Sequence, residues 1–236
     1  MVQVRPLGCI IASVLTIVAG LVLLIGSIVY GTQLHYLHNY WQQIYGLIVY
    51  SGVIGTLAII LPLGLIYVVN RQFPALTTLF SGALIFLVFL SIICVTILAT
   101  GRNDLGRESH DNTVQLFHNY SDSSKILSSK PIFERIQQSY ECCGVENAVD
   151  WKNLTADGAS TPDSCCKQMI VGCGVGALIK QDNIYLRGCA EPIYHDIRKK
   201  YSTLIGMNVV VIIFSAISAV LGIIYERFIR QQYQAM

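Results

Sequence analysis

Four long blocks that hold no Asp, Glu, Lys or Arg constrain this chain most: Leu7 to Tyr30, Ile44 to Val69, Ala75 to Ala99, and Leu204 to Tyr225. A helix needs roughly 20 apolar residues to cross the hydrocarbon core of a bilayer, and each block is long enough. Lipid offers no water to satisfy a free amide, so each block must close its hydrogen bonds internally as a helix. Charge is scarce throughout: 13% of the residues are charged and 53% apolar, too little charge to solvate an ordinary globule of this length. The sequence predicts an all-α integral membrane protein built on a four-transmembrane-helix bundle. Arg5 ahead of the first block gives it the look of a secretory signal. The apolar run is too long for one and no small-residue cleavage pattern follows, so a retained anchor is expected.

Basic residues in short connections set orientation, because long loops cross largely regardless of charge. Arg5 precedes the first block, Arg71 lies between the second and third, and Arg227 and Arg230 follow the fourth, whereas Gly31 to Gln43 has no Lys or Arg. Both termini and the turn Asn70 to Pro74 are therefore expected in the cytoplasm, with Gly31 to Gln43 and Gly101 to Thr203 outside. The chain divides into residues 1–100 (a cytoplasmic segment, three spans, the short outer loop 31–43 and the inner turn 70–74), a large extracellular loop 101–203, and a fourth span with a cytoplasmic tail, 204–236. The large loop carries twelve Lys/Arg against thirteen Asp/Glu, and nothing in it forms a basic stripe for nucleic acid.

Six of the eight cysteines crowd that loop: Cys142, Cys143, Cys165, Cys166, Cys173 and Cys189. An even number in an oxidising compartment reads as three disulfides, which a loop with little core of its own needs. Zinc is the competing reading, but the paired C-x-x-C spacing is missing and no histidine lies among these cysteines. Six cysteines allow fifteen pairings, and a bond between neighbours such as Cys142 and Cys143 would be strained, so both are expected to reach distant partners. The loop's flanks read as helices. Ile132, Ile136 and Tyr140 recur behind Pro131, a residue suited to a first helical turn, and Ile193, Ile197, Tyr201 and Leu204 recur behind Pro192 and run on into the fourth span. Asp104 to Phe117 extends the third span in the same way. Between the flanks, Gly144 to Gly188 is richer in Gly, Pro, Asn and Asp, the composition of short elements tied together by disulfides.

Four spans, a small first outer loop, a large second one, Cys142-Cys143-Gly144, Pro162-Asp163-Ser164-Cys165-Cys166, and Gly188-Cys189 before the last span together resemble a tetraspanin over essentially the whole chain. The resemblance implies a cone of helices under a mostly helical, disulfide-stapled extracellular domain. It also implies the pairs Cys142 with Cys189, Cys143 with Cys165, and Cys166 with Cys173, with Gly144 supplying the turn after the cysteine pair. For function it implies a membrane organiser that binds other integral membrane proteins, or further copies of itself, laterally and through the large loop, and so affects their clustering, trafficking or stability. The expected location is the plasma membrane or an endosomal or lysosomal membrane. A membrane lipid or sterol is the one ligand class it suggests, and no other cofactor is expected. The spans depart from the family's habit in carrying no acidic residue and a single amide, Asn208.

The alternative is a channel or transporter subunit, which would normally show ionisable residues or broken helices within the spans; Pro62 is the only proline in one, and a kink accounts for it. An enzyme is not expected. His35 and His38 could share a helical face, but no Cys, Asp or Glu in their loop completes a site, and beside Tyr36, Tyr40 and Trp41 they read as an interfacial aromatic belt. Small residues four apart, Ala12, Thr16 and Gly20 or Ser51 and Gly55, permit close helix packing, within the bundle or against a partner. Asn119 and Asn153 head glycosylation sequons, Cys9 is the candidate for S-acylation, and Tyr233 with Met236 forms a tyrosine-based sorting pattern. The run Met169 to Ile179 is almost wholly apolar, too short to span, and interrupted by glycines. It belongs either to the loop's own core or to an exposed partner surface, and in the second case Met169, Ile170, Val171, Val175, Leu178 and Ile179 are the contacts.

Overall fold

The computed structural model describes residues 6–35, 41–121 and 126–234. Five α-helices follow in order: α1 (Pro6–Leu34), α2 (Gln42–Arg71), α3 (Pro74–Ser121), α4 (Ile126–Tyr140) and α5 (Ala190–Gln234). All but α4 are long and apolar enough to cross a membrane. The described residues form two compact units, to both of which α3 and α5 contribute: one holds residues 6–35, 42–100 and 201–234, the other 41, 101–121 and 126–200.

The first unit buries leucines and isoleucines such as Leu23, Ile54 and Leu84, but it also departs from the usual distribution of side chains. Large apolar residues such as Ile11, Ile60, Leu79, Phe86 and Phe89 are exposed, while Ser13, Thr16, Ser51, Ser81, Asn208, Ser215 and Ser218 are buried. Lipid tails are as apolar as leucine, so these helices gain little by hiding leucine and associate instead through small residues and interhelical hydrogen bonds. Thr16 of α1 and Ser218 of α5 lie 2.9 Å apart, and the Asn208 amide donates to the Leu204 carbonyl at 2.9 Å and towards Ser51 of α2 at 3.4 Å. The Tyr225 hydroxyl donates to the Val69 carbonyl at 3.2 Å. The backbones of α1 and α2 touch at two glycines: a Cβ on Gly20 would meet the Gly55 carbonyl at 2.9 Å, and one on Gly55 would meet the Leu24 amide nitrogen at 2.9 Å. Between α2 and α3 the chain turns on Gln72, whose φ of 58° lets its amide reach back to the Val69 carbonyl at 3.2 Å.

The second unit is closed by aromatic side chains. Trp151 packs its ring edge-on against Phe117 and Tyr120 of α3, with centroids 4.8 and 4.9 Å apart, and Phe133 of α4 completes the cluster 5.7 Å from Phe117. Burial, followed by the neighbouring Glu134 carboxylate, raises the Tyr120 phenol well above its ordinary range. Two details differ from the sequence reading. Pro131 lies inside α4 rather than in its first turn, because the helix begins at Ile126 and the Ser129 hydroxyl fastens its start to the Asn119 carbonyl at 2.8 Å. The inner face of α4 is also turned by one position: Phe133, Ile136 and Gln137 are fully buried, and Ile132 and Tyr140 only partly. The α5 stripe of Ile193, Ile197, Tyr201 and Leu204 is buried as its spacing implies.

Gly55→Leu should destabilise the first unit by about 1–3 kcal/mol, the usual penalty for forcing bulk into a close contact. Gly46→Leu is the control, since nothing lies within 4 Å of a Cβ there. Thermal unfolding in detergent checks this: the Gly55 variant should melt below the wild type and the Gly46 variant with it.

Candidate functional site

The site is built outward from two adjacent cysteines at the end of α4. Cys142 bonds Cys189 at 2.08 Å, Cys143 bonds Cys165 at 2.00 Å, and Cys166 bonds Cys173 at 1.99 Å, so the structure pairs the six loop cysteines as the resemblance implies. The chain then turns on Gly144, whose φ of +75° and position leave no room for a side chain: a Cβ would lie 2.1 Å from the Asn147 carbonyl. The Asp150 carboxylate holds this turn by accepting from the amides of Val145, Glu146 and Asn147 at 2.9, 2.8 and 3.2 Å. The returning strand of chain is sewn to it, with the Cys143 amide on the Arg187 carbonyl at 2.8 Å and the Cys189 amide on the Gly144 carbonyl at 3.1 Å. Gly188 passes so close that a Cβ would sit 2.1 Å from the Val145 carbonyl. The Arg187 guanidinium donates to the Tyr140 and Glu141 carbonyls, a cation placed where the last carbonyls of α4 need one.

The segment carrying Cys165 is fixed from beneath by Gln137, which accepts from the Ser164 hydroxyl at 2.6 Å and donates to the Cys165 sulfur at 3.2 Å. Two residues earlier in the chain than Cys165, Asp163 reaches the apolar run. Its carboxylate accepts from the Gly172 and Gly174 amides, both at 2.9 Å, and those two bonds hold the carboxyl below the ordinary carboxylate range. The stabilisation is therefore complete above the unfolded value and lost as pH falls through the lower folded one. The same run is bonded at the Gly174 carbonyl by the Thr161 amide at 2.8 Å, at the Leu178 amide by the Ala159 carbonyl at 2.9 Å, and at the Gly176 amide by the Ser160 hydroxyl at 2.9 Å. Gly174 has to be glycine, because a Cβ there would meet the Thr161 carbonyl at 2.0 Å.

With its backbone held this way, the run keeps its side chains outside. Val171 is 98% exposed, Ile179 77% and Val175 75%; Met169 and Ile170 are exposed as well, and Leu178 is half-buried. Of its side chains only that of Ala177 is buried, and Gly174 is buried beside it. Of the two readings of this segment, the core of the loop is the one the burial does not support. The Gln138 side-chain amide touches the Met169 sulfur, so that side chain leans back onto α4.

The remaining candidates lie elsewhere. Asn153 is exposed at the end of a short 3-10 turn, Ala148–Asn153, while Asn119 is half-buried within α3. Cys9, the candidate for S-acylation, is 1% exposed and packs within the helices on α1. Cys94 is buried too, 3.5 Å from the Ser51 hydroxyl. His35 packs near Tyr45 with ring centroids 6.2 Å apart, beside an apolar groove of about 380 Å³ bordered by Ile28, Ile48 and Val49. Arg5, Tyr36, His38, Tyr40 and Met236, and the side chain of Tyr233, lie outside the described residues. Asp163, Cys166 and Cys173 stand within a metal's reach of one another, but the two sulfurs are bonded together, leaving one carboxylate as ligand. Sequence reasoning missed Asp150, Asp163 and Gln137. For Asp150 a signal was present, since Asn147-x-x-Asp150 has capping-box spacing and the structure shows that box in both directions.

Four long apolar helices and a loop held by three cystines define a multi-pass membrane protein. The tetraspanin family model matches residues 7–227, and the chain belongs to that family. It is similar to human CD63 antigen, 30% identical over 166 residues, and to rabbit CD63 antigen, 32% identical over 168 residues, with 64% of each chain covered in both cases. Mouse CD151 antigen is 32% identical over 102 residues, 39% of each chain. The chain thus spans 64% of the length of the CD63 relatives it matches.

Removing a native disulfide from a small framework costs about 2 to 5 kcal/mol, and here the cost should depend on which bond is lost. Cys143→Ser frees the fully buried Cys165 and detaches the Asp163 segment from α4, so surface delivery should fail. Cys166→Ser opens a bond spanning only 7 residues at the loop's edge and should leave most delivery intact. Surface biotinylation of the two variants beside wild type checks this.

Proposed function

We propose that this protein organises other integral membrane proteins, holding them laterally through its spans and through the apolar run of the large loop, and so affects their clustering, trafficking or stability. The observation that carries this is the exposure of Met169, Ile170, Val171, Val175 and Ile179 on a backbone fixed by hydrogen bonds. Apolar side chains grouped on a surface mark an interface, and a fixed backbone reduces the ordering cost of binding. Met169 adds an adaptable contact at the edge. The family membership supports the general role.

In this reading both termini are cytoplasmic and the large loop is outside, as the basic residues of the short connections favour. Asn153 is then the favoured glycan acceptor, being exposed where Asn119 is not. The location is the plasma membrane, with traffic to endosomal or lysosomal membranes through the Tyr233 to Met236 pattern.

The test is Ile170→Ser combined with Val175→Ser. Because both side chains are exposed, folding and surface level should match wild type, while recovery of partner proteins in mild detergent should fall by roughly tenfold or more, the effect of losing apolar anchors worth over 1.4 kcal/mol together. Normal surface level with unchanged partner recovery would contradict the proposal.

A further inference from the structure

The three disulfides are placed very differently, and the difference has chemical consequences. Cys142, Cys143, Cys165 and Cys189 are completely buried, so a reagent reaches those two bonds only when the fold opens. Cys173 is only half-buried, although Cys166 beside it is buried. Their bond joins residues just 7 apart, at the root of the apolar run, and ties no helix to another.

The run also has other anchors. With the Cys166–Cys173 bond removed, the Gly172 and Gly174 amides still have the Asp163 carboxylate, the Gly174 carbonyl still has the Thr161 amide, and the Leu178 amide still has the Ala159 carbonyl. The Cys173 sulfur lies 3.5 Å from the Asp163 carbonyl and 3.7 Å from its carboxylate, so acceptors for a thiol S–H are already in position. A reduced pair therefore has a folded state to occupy.

We propose that the Cys166–Cys173 bond is a thiol-exchange site for an external dithiol, and that opening it loosens the apolar loop while the two deeper disulfides stay closed. The thiolate of the dithiol attacks the sulfur of the less buried residue, Cys173, and the Cys166–Cys173 bond breaks as the new bond forms. The electron pair leaves on the Cys166 sulfur, which takes a proton from water. The second thiol of the reagent, as thiolate, then attacks the sulfur that joined Cys173, releasing Cys173 to be protonated. Two electrons have passed to the protein, and the dithiol has become a cyclic disulfide. The effect on partner docking rests on the function proposed above; the exchange reaction does not.

The full chain, purified in mild detergent, is titrated with dithiothreitol, quenched with iodoacetamide, digested and read by mass spectrometry. Cys166 and Cys173 should be labelled together at roughly tenfold lower reductant than Cys142, Cys143, Cys165 or Cys189, because only those four require opening of the fold. Over the same range, brief trypsin treatment should cut faster after Lys167 and Lys180, which flank the loop and are exposed. The double variant Cys166→Ser with Cys173→Ser should show that faster cleavage without reductant. Labelling of all six cysteines together, labelling of a buried pair first, or cleavage unchanged by reduction would overturn the proposal. Unchanged partner recovery in the Ile170→Ser, Val175→Ser protein would remove the docking role and leave this order of reduction as it stands.

Discussion

The large loop depends on one covalent arrangement: two neighbouring residues, Cys142 and Cys143, bonded to points 47 and 22 residues further along the chain. Side chains of adjacent residues leave the backbone in different directions, so this pair forces the end of α4, the start of α5 and the Cys165 segment into one place. Each bond removes freedom from the unfolded chain, which a loop with so small a core needs. The remaining polar contacts follow from that closure. Asp150 gathers the amides of the turn after the pair, Arg187 covers the last carbonyls of α4, and Gln137 bonds the Ser164 and Cys165 side chains from below. Gln137 is buried, Asp150 half-buried and Arg187 exposed, each has partners, and the sulfurs bring their segments together.

The membrane unit solves a different problem with different residues. There, burying leucine gains little: Leu23, Ile54, Leu65 and Leu84 are buried, but serine and threonine share the interior with them while phenylalanines and many other isoleucines and leucines face outward. Gly20 and Gly55 let two backbones touch, and the close approach explains the small residues at four-residue spacing without any outside partner.

Much of this was legible from the residues alone, and the parts that were not share a cause. Four uncharged blocks and six clustered cysteines are signals that single residue types carry, so spans and cystines can be read directly. The facing of a helix cannot be read so directly. At 3.6 residues per turn, Ile132 and Phe133 differ by one position of rotation, and only the Trp151 cluster decides that Phe133 points inward. Pro131 lies past the first turn of α4 because proline marks that turn often but not always. The exposure of Val171, Val175 and Ile179 is a property of the closed loop: it follows from backbone bonds between segments that lie ten or more residues apart, including those from Thr161 and Ala159.

That last feature is the centre of the account, since an apolar run held rigid outside a core differs in kind from an unstructured loop that happens to be greasy. A docking surface of the first kind is preorganised; a loop of the second kind must be ordered by its partner at a cost. Hydrogen exchange at single-amide resolution on the oxidised full chain in detergent separates them most directly. The account predicts slow exchange at Thr161, Gly172, Gly174 and Leu178, whose amides all have acceptors within 2.9 Å, even though the neighbouring side chains are exposed. Exchange of those amides at the rate of an unstructured peptide would contradict it.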